Sequence, residues 1–569
     1  MAMDTLQDAS VPTRALVVGL SLLAVFMAVV QRLLRVNLDP SEPPMVPTKI
    51  PVIGHIIGML WYGKKYYQVI QDTYGFDIYT LPLPGARQYI ITSPALAAAV
   101  HRQARAISFR PFASKFARRM LLFSDEAHAV MERNMFDEDG PGLLTGNHDH
   151  LYASLPAGPA LDELSSALMA GAAANLGRLS ASASGTGTTT GTTTGEVTMQ
   201  LYSWVRDLIT STSVTAFWGP DGPFSRDPTL LDAFWDLEDR AVAMGIVGGR
   251  LSPLLYPRAH RARARLTEAM HAFYTDDARW PQASWLLRER ARIHLEEHGY
   301  PMRDWAKAEV GMLFGLIPNS TLGTFWTLAR LLADRRLLEE VRAELLDGGT
   351  VTVTVVAEDA DADGVKKKKK KAKVDMSGLR NRSPLLTSAF REMLRLTMPT
   401  SSVRSVRDDV LLGGRHLLRA GSLVMLDGSV MHRRRDVWGA DADEYNPRRF
   451  LDAAGGVFTD GSSSSGSSGE GGGGGGGRDS SKRVHPAAFR GFGGGEVFCP
   501  GRNLAHVEVT GVAAAIVCAW ELAPGAAEVE VPPFKEDEMP LGLWKPRRDV
   551  EVTLRQREGW EDVEWEYTL

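Results

Sequence analysis

Hydrophobic residues along most of the chain recur at the three-to-four-residue interval of helices. The pattern is mostly helical from residue 93 to about 177, and it resumes over 199–216, 235–245 and 259–280. A long apolar helix is predicted over 305–332, but its centre reads Gly315-Leu316-Ile317-Pro318-Asn319-Ser320-Thr321. A proline there removes one backbone hydrogen bond and kinks the helix. Leu386, Ala389, Phe390, Met393 and Leu394 form the apolar stripe of another helix, with Ser383 as its cap and Pro384 in its first turn. Residues 504–520 are helix-like and apolar. Strands are predicted over 78–83 and 88–91, joined by a Pro84-Gly85 turn, and over 410–412 and 422–426 around Gly413-Gly414. A terminal hairpin is expected from 539–542 and 549–554.

The amino end departs from this pattern. Residues 15–30 are an unbroken run of apolar and small residues, closed by Gln31, Arg32 and Arg35. Leu33, Leu34 and Val36 extend it toward the ~20 residues that span a bilayer. A cleaved signal peptide is the alternative. Asp4 and Asp8 with only Arg14 before the run, and no obvious small-x-small cleavage site, favour a signal anchor. The basic residues on its carboxyl side favour a cytosolic body. The proline-dense arm at 43–54 follows as a stiff linker.

Composition narrows the class. A 569-residue chain with 44% hydrophobic residues can bury a large core, and a net charge of -4 gives no reason to expect nucleic acid. Cys499 and Cys518 are the two cysteines, so there is no disulfide framework, and Cys518 reads as a packed apolar residue. Flexible inserts are expected at about 180–195, 350–376 and 453–484. The first and third are rich in Gly, Ser and Thr, and the second carries an acidic patch followed by Lys366–Lys371, read as a solvated loop.

The candidate chemistry lies in Phe492-Gly493-Gly494-Gly495-Glu496-Val497-Phe498-Cys499-Pro500-Gly501-Arg502. A thiolate here can ligate haem iron through one axial bond. Glycines let backbone approach a flat ligand where side chains would clash. Alone, such a cysteine could equally be a structural thiol. With Phe492, Gly495, Cys499 and Gly501 at their spacing, the loop resembles the haem-binding signature of the cytochrome P450 family. The family usually has Arg or His two residues before the cysteine to bind a haem propionate, and this chain has Val497. Distant segments carry the same resemblance: Glu392-x-x-Arg395, and Arg449 within Pro447-Arg448-Arg449-Phe450. The run Asn319-Ser320-Thr321-Leu322-Gly323-Thr324-Phe325-Trp326 is similar to the sterol 7α-hydroxylase and prostacyclin synthase branch.

This resemblance implies a mainly α body with a smaller β region, divided into an anchor (1–36) and a haem-thiolate catalytic domain (37–569). It implies haem b held by Cys499, with Phe492, Gly495, Gly501 and Arg404 around it. Arg404 stands five residues before Asp409, where the family often contacts a propionate. Asn319 and Ser320 would stand in the oxygen groove, where most members carry an acid and a threonine. Glu392, Arg395 and Arg449 would lock the backbone behind the cysteine loop. The implied activity is a monooxygenase acting on a small lipophilic molecule such as a sterol, fatty acid or secondary metabolite. Its electrons would come from NADPH-cytochrome P450 reductase, with cytochrome b5 as a second donor. It would sit on the endoplasmic reticulum membrane as a single-pass protein facing the cytosol. The missing acid keeps open a haem-thiolate isomerase or dehydratase acting on a lipid peroxide, and a non-catalytic haem protein remains a third reading.

Overall fold

The structure, a computed structural model, describes residues 19–21, 25–26, 29, 38–48, 54–83, 86–183, 195–248, 251–357, 368–399, 401–452, 456–457, 484–561 and 563–569. Among these, no helix is long and apolar enough to cross a membrane. Most of the expected anchor lies outside the described residues, as do 184–194 and 458–483 of the expected inserts.

The body is mainly helical. The elements that position the site are α1 (Gly54–Tyr62), α2 (Pro94–Arg102), α3 (Leu143–Ser154), α4 (Pro159–Ala183), α5 (Leu201–Trp218), α6 (Met302–Leu316), α7 (Pro318–Ala333), α8 (Arg335–Asp347), α9 (Pro384–Thr397) and α10 (Arg502–Ala519). In α10, Val507 and Val509, then Val512 through Ala519, are all buried. A helix apolar on every side belongs inside the protein. It packs there with α4, α5, α7 and α9 in the largest core, and Cys518 lies within that core as expected. Each fully buried Val or Leu there contributes roughly 1.5–3 kcal/mol. The predicted long helix is two helices, α6 and α7, divided at Ile317 just before Pro318.

The β region is small. β1 (Ile78–Leu83) and β2 (Ala86–Ile91) pair antiparallel as predicted. They join β10 (Leu423–Asp427), β7 (Ser401–Val406) and β3 (Ile107–Ser108) in one sheet of order β1-β2-β10-β7-β3, with only the β2–β10 contact parallel. β8 (Val410–Leu412) and β9 (His416–Leu418) form the hairpin, with Gly413 and Gly414 at φ 60° and 71°.

Three expectations need correction. The stretch expected as an insert at 350–376 contains β5 (Val351–Ala357) and β6 (Lys368–Asp375), which pair antiparallel. β6 also pairs parallel with the last strand, β13 (Val563–Thr568). The lysine run is therefore not simply a solvated loop. Lys370 faces Glu561 at 3.4 Å, and Lys371 and Lys373 approach Glu566 at 3.8 and 3.9 Å. The terminal hairpin does not form from 539–542. Instead β12 (Glu551–Gln556) lies between β11 (Trp520–Leu522) and β4 (Glu196–Gln200). Ser383 stands at the start of α9, but its hydroxyl donates to Gly378 O. The orphan N–H groups of Leu385 and Leu386 are satisfied by the Glu344 carboxylate of α8, at 2.6 and 3.0 Å.

Candidate active site around the cysteine loop

Two glycines shape the loop. Gly493 and Gly495 adopt φ 81° and 63°, a region costly for residues with a Cβ. A Cβ on Gly493 would also lie 2.7 Å from Val497 O. The turn brings Cys499 N–H to Phe492 O at 2.8 Å and leads directly into α10. Cys499 then faces a cavity whose wall also carries Phe492, Val497, Gly501, Asn319, Ser320 and Glu508. Burial pushes the Cys499 thiol above its usual pKa, opposed by the Gly501 backbone N–H and the Arg502 guanidinium. Those opposing groups favour a thiolate, and a bound metal deprotonates such a thiol outright.

Behind the loop lies a buried charge cluster. The Arg395 guanidinium meets both oxygens of Glu392, at 2.7 and 2.8 Å. It also donates to the backbone oxygens of His432, Ala442 and Glu444. Arg449 reaches Glu392 at 3.0 Å and the Asp441 carboxylate at 2.8 Å. The Asn446 N–H also donates to Glu392, at 3.0 Å. The cluster touches the cysteine loop's approach through one residue. His432 gives its carbonyl to Arg395, and its Nε2 accepts the Arg490 backbone N–H at 2.8 Å. Burial, with Arg395 and Arg490 nearby, holds that ring at about 3, so it is neutral and able to accept. Thus Glu392, Arg395 and Arg449 meet in one cluster, and His432 joins it to the segment that enters the loop.

Asn319 and Ser320 both reach the cavity, but Asn319 has a further task. Its side-chain oxygen accepts the Leu543 N–H at 3.1 Å, tying the break between α6 and α7 to the loop at 541–543 that also lines the cavity. A Cβ at Gly542 would lie 1.8 Å from that same oxygen, so any larger residue there displaces the amide from the Leu543 N–H. Trp326 Nε1 donates to Trp544 O at 2.8 Å, a second tie one residue on.

Sequence reasoning missed the acid. Glu508 of α10 is buried, hydrogen-bonded by Ser320, and its Oε1 accepts from Ser213 Oγ at 3.2 Å. Burial pushes this carboxyl up to about 7, against the two serines. It stands 188 positions from Ser320 in an apolar helix, and only its being an acid in such a helix marked it. Arg404 is buried on β7, donating to Ser402 Oγ at 2.8 Å and to Gly494 O of the loop at 3.2 Å. Lys115 and Arg119 are exposed on the helix Arg110–Leu121.

Comparison with known proteins agrees with this geometry. Residues 302–552 match the family described as Cytochrome P450. Over 94% of both chains, the protein is 26% identical to the cytochrome P450 monooxygenase nodJ of Hypoxylon pulicicidum. It is 22% identical to cytochrome P450 7A1 of Rattus norvegicus, over 90% of this chain and 94% of that one. Its fold superimposes on the retinoic acid-bound cyanobacterial CYP120A1 with a TM-score of 0.61 and 18% identity, covering 92% of this chain and all of that one. The cysteine loop, the braced Glu392-Arg395-Arg449 cluster and the broken helix over one cavity have the same meaning as these likenesses: the chain belongs to the cytochrome P450 family and is an oxidoreductase of that family.

Proposed function

We propose that the protein is a membrane-anchored haem-thiolate monooxygenase that inserts one atom of O2 into a small lipophilic substrate, using electrons from an NADPH-dependent P450 reductase. The observation that carries this reading is the single cavity shared by Cys499, Ser320 and Glu508. The residues fit haem b. Cys499 would hold the haem iron through its sulfur, glycine backbone forms one wall, and Arg490, two residues before Phe492, keeps two buried nitrogens without a partner among the described residues. When bound, a haem with a thiolate ligand supplies dioxygen activation and O–O cleavage. The remaining walls, including Leu168, Phe217, Leu286, Met312 and Leu541, exclude water and select apolar molecules. A sterol, a fatty acid or an apolar secondary metabolite fits that chemistry.

Glu508 takes the role of the acid that the broken helix lacks. Its proton is held at the carboxyl and passes to Ser320 Oγ, which opens on the cavity. An acid at about pKa 7 both holds and releases a proton near neutrality. This favours oxygen chemistry over the peroxide isomerase reading, which was motivated by the absent acid. With reductase, NADPH and O2, wild type forms product. Turnover needing none of the three would overturn the reading. Glu508→Gln keeps the shape but holds no transferable proton. Product per NADPH falls by on the order of 10²-fold, while oxygen uptake and peroxide release persist. Because the donor form exists below about pH 7, wild-type coupling declines as pH rises through that value, and the Gln variant lacks this limb. Equal coupling in both proteins would remove Glu508 from the path.

The localisation we propose is the endoplasmic reticulum membrane, with the body cytosolic. Support comes from the apolar run at 15–30 and from exposed apolar residues flanking the segment at 535–545. On one side Gly63 abuts Asp537, just after Leu60 and Trp61, which are 71% and 75% exposed. On the other, Glu238 and Val242 border that segment a few residues before the exposed Ile246, Leu251 and Leu254. The full chain is expected to stay in the membrane pellet through an alkaline carbonate wash, and a chain starting at residue 37 to be released. Release of the full chain would refute the anchor.

A further inference from the structure

We propose that Arg490, together with Arg404, receives the carboxylates of the haem propionates and replaces the contact that Val497 cannot make, with His101 orienting it. This rests on the haem-thiolate reading above and assigns residues to a part of the ligand which that reading left unplaced.

The argument starts from unpaired charge. Arg490 is 1% exposed. Its backbone is fixed by His432, and its Nη1 lies 3.4 Å from His101 Nε2. Its Nε and Nη2 have no hydrogen-bond partner among the described residues. Arg404, 2% exposed, commits one nitrogen to Ser402 and one to the Gly494 carbonyl, neither of them an anion. The acids that act on these guanidiniums are engaged elsewhere. Asp427 is paired with Lys64 at 2.5 Å, and Glu496 with Arg110 at 3.2 Å. Burial, with Arg404 beside it, pulls Arg490 down to about 9, so it stays a cation at neutral pH. Burial, partly opposed by Glu496, draws Arg404 to about 10. Two buried cations without a counter-charge are costly unless something anionic arrives.

The local geometry is built to keep them so. His101 of α2 lies directly against the loop. A Cβ on Gly494 would be 2.9 Å from its ring and 3.3 Å from Arg490 Nη1, and one on Gly495 would be 2.7 Å from the ring. Burial, then Arg490 and Arg404, hold His101 at about 3, so the ring is neutral and accepts from Arg490. The glycines that shape the cysteine loop therefore also admit this pair beside it. A haem carries two carboxylates on one edge, and each suits the planar fork of a guanidinium. A free inorganic anion has similar chemistry, and the test separates the two.

The test follows haem transfer from ferric holoprotein to excess apomyoglobin. Arg490→Met should release haem on the order of 10-fold faster or more, and Arg490→Met/Val497→Arg should recover retention. In case the Met variant does not fold, Arg490→Lys keeps the charge. It should shift the propionate bending bands of the resonance Raman spectrum relative to wild type. Unchanged transfer in Arg490→Met, or unchanged bands in Arg490→Lys, overturns the assignment. So does a melting midpoint of wild type that rises with phosphate or chloride in an Arg490-dependent way while haem release is unaffected, which marks an inorganic anion site. A wild-type protein that binds no haem, or whose reduced carbon monoxide complex lacks the thiolate band, instead fails the parent reading.

Discussion

Reduced Cys499→Ala protein under carbon monoxide has no strongly red-shifted Soret band, and its monooxygenase turnover falls to background, whereas wild type has both. The expected loss is near total because, among the described residues, Cys499 is the only thiol on the cavity wall. The other cysteine, Cys518, lies at the far end of α10, fully buried, with its thiol pushed up to about 12. No rearrangement of a packed helix brings that sulfur to the loop. The substitution itself is mild for the fold. Ala fits where Cys499 stands, and the loop's turn is held by backbone, through Cys499 N–H to Phe492 O and the positive φ of Gly493 and Gly495. A difference spectrum beside circular dichroism therefore separates loss of the ligand from loss of the fold. A folded Ala variant that keeps the shifted band would mean that some other group supplies the axial thiolate, and the site described here would be wrong.

The second large effect is expected at Glu392. Its carboxylate is fully buried and pairs with two guanidiniums, Arg395 and Arg449, and with the Asn446 N–H. Glu392→Ala leaves those cations short of their counter-charge, at a cost of roughly 3–5 kcal/mol, the scale measured when one partner of a buried pair is removed. The lower urea midpoint should come with faster haem loss, because Arg395 and Arg490 are joined through His432. Arg395→Lys should fare little better. The guanidinium serves both oxygens of Glu392 and three backbone carbonyls, whereas an ammonium has three donors and no planar fork. A Glu392→Ala protein within about 1 kcal/mol of wild type would show that the cluster does not brace the loop, since that is the range of an exposed pair.

These residues were legible before the fold because their chemistry is local. A cysteine among glycines, a Glu and an Arg three apart on one helix, and a proline in an apolar helix each depart from what a packing segment needs. The missed residues depart only in three dimensions. His101 is an ordinary polar end of a short helix until Gly494 and Gly495 press against it. Arg490 is one more arginine in a basic-looking segment until its two partnerless nitrogens are seen to be buried. Lys370, Lys371 and Lys373 misled for the same reason. Their run looks self-repelling alone, but the strand that answers it, with Glu566, comes nearly two hundred residues later. Asn319 stands at the helix break that Pro318 marks, yet its bond to Leu543 is not legible in the sequence, because 539–542 reads there as one arm of a hairpin that does not form.

That last bond bears on how the enzyme can be redesigned. Leu541 and Leu543 line the cavity, while Gly542 between them is closed by the Asn319 amide. A library seeking new substrates has freedom at the exposed Leu541, little at the core residue Leu543, and at 542 only where the Asn319 amide moves aside. Substrate choice and oxygen handling are in this way written on two faces of one short turn, and a selection that relaxes the first by shifting the turn will disturb the second.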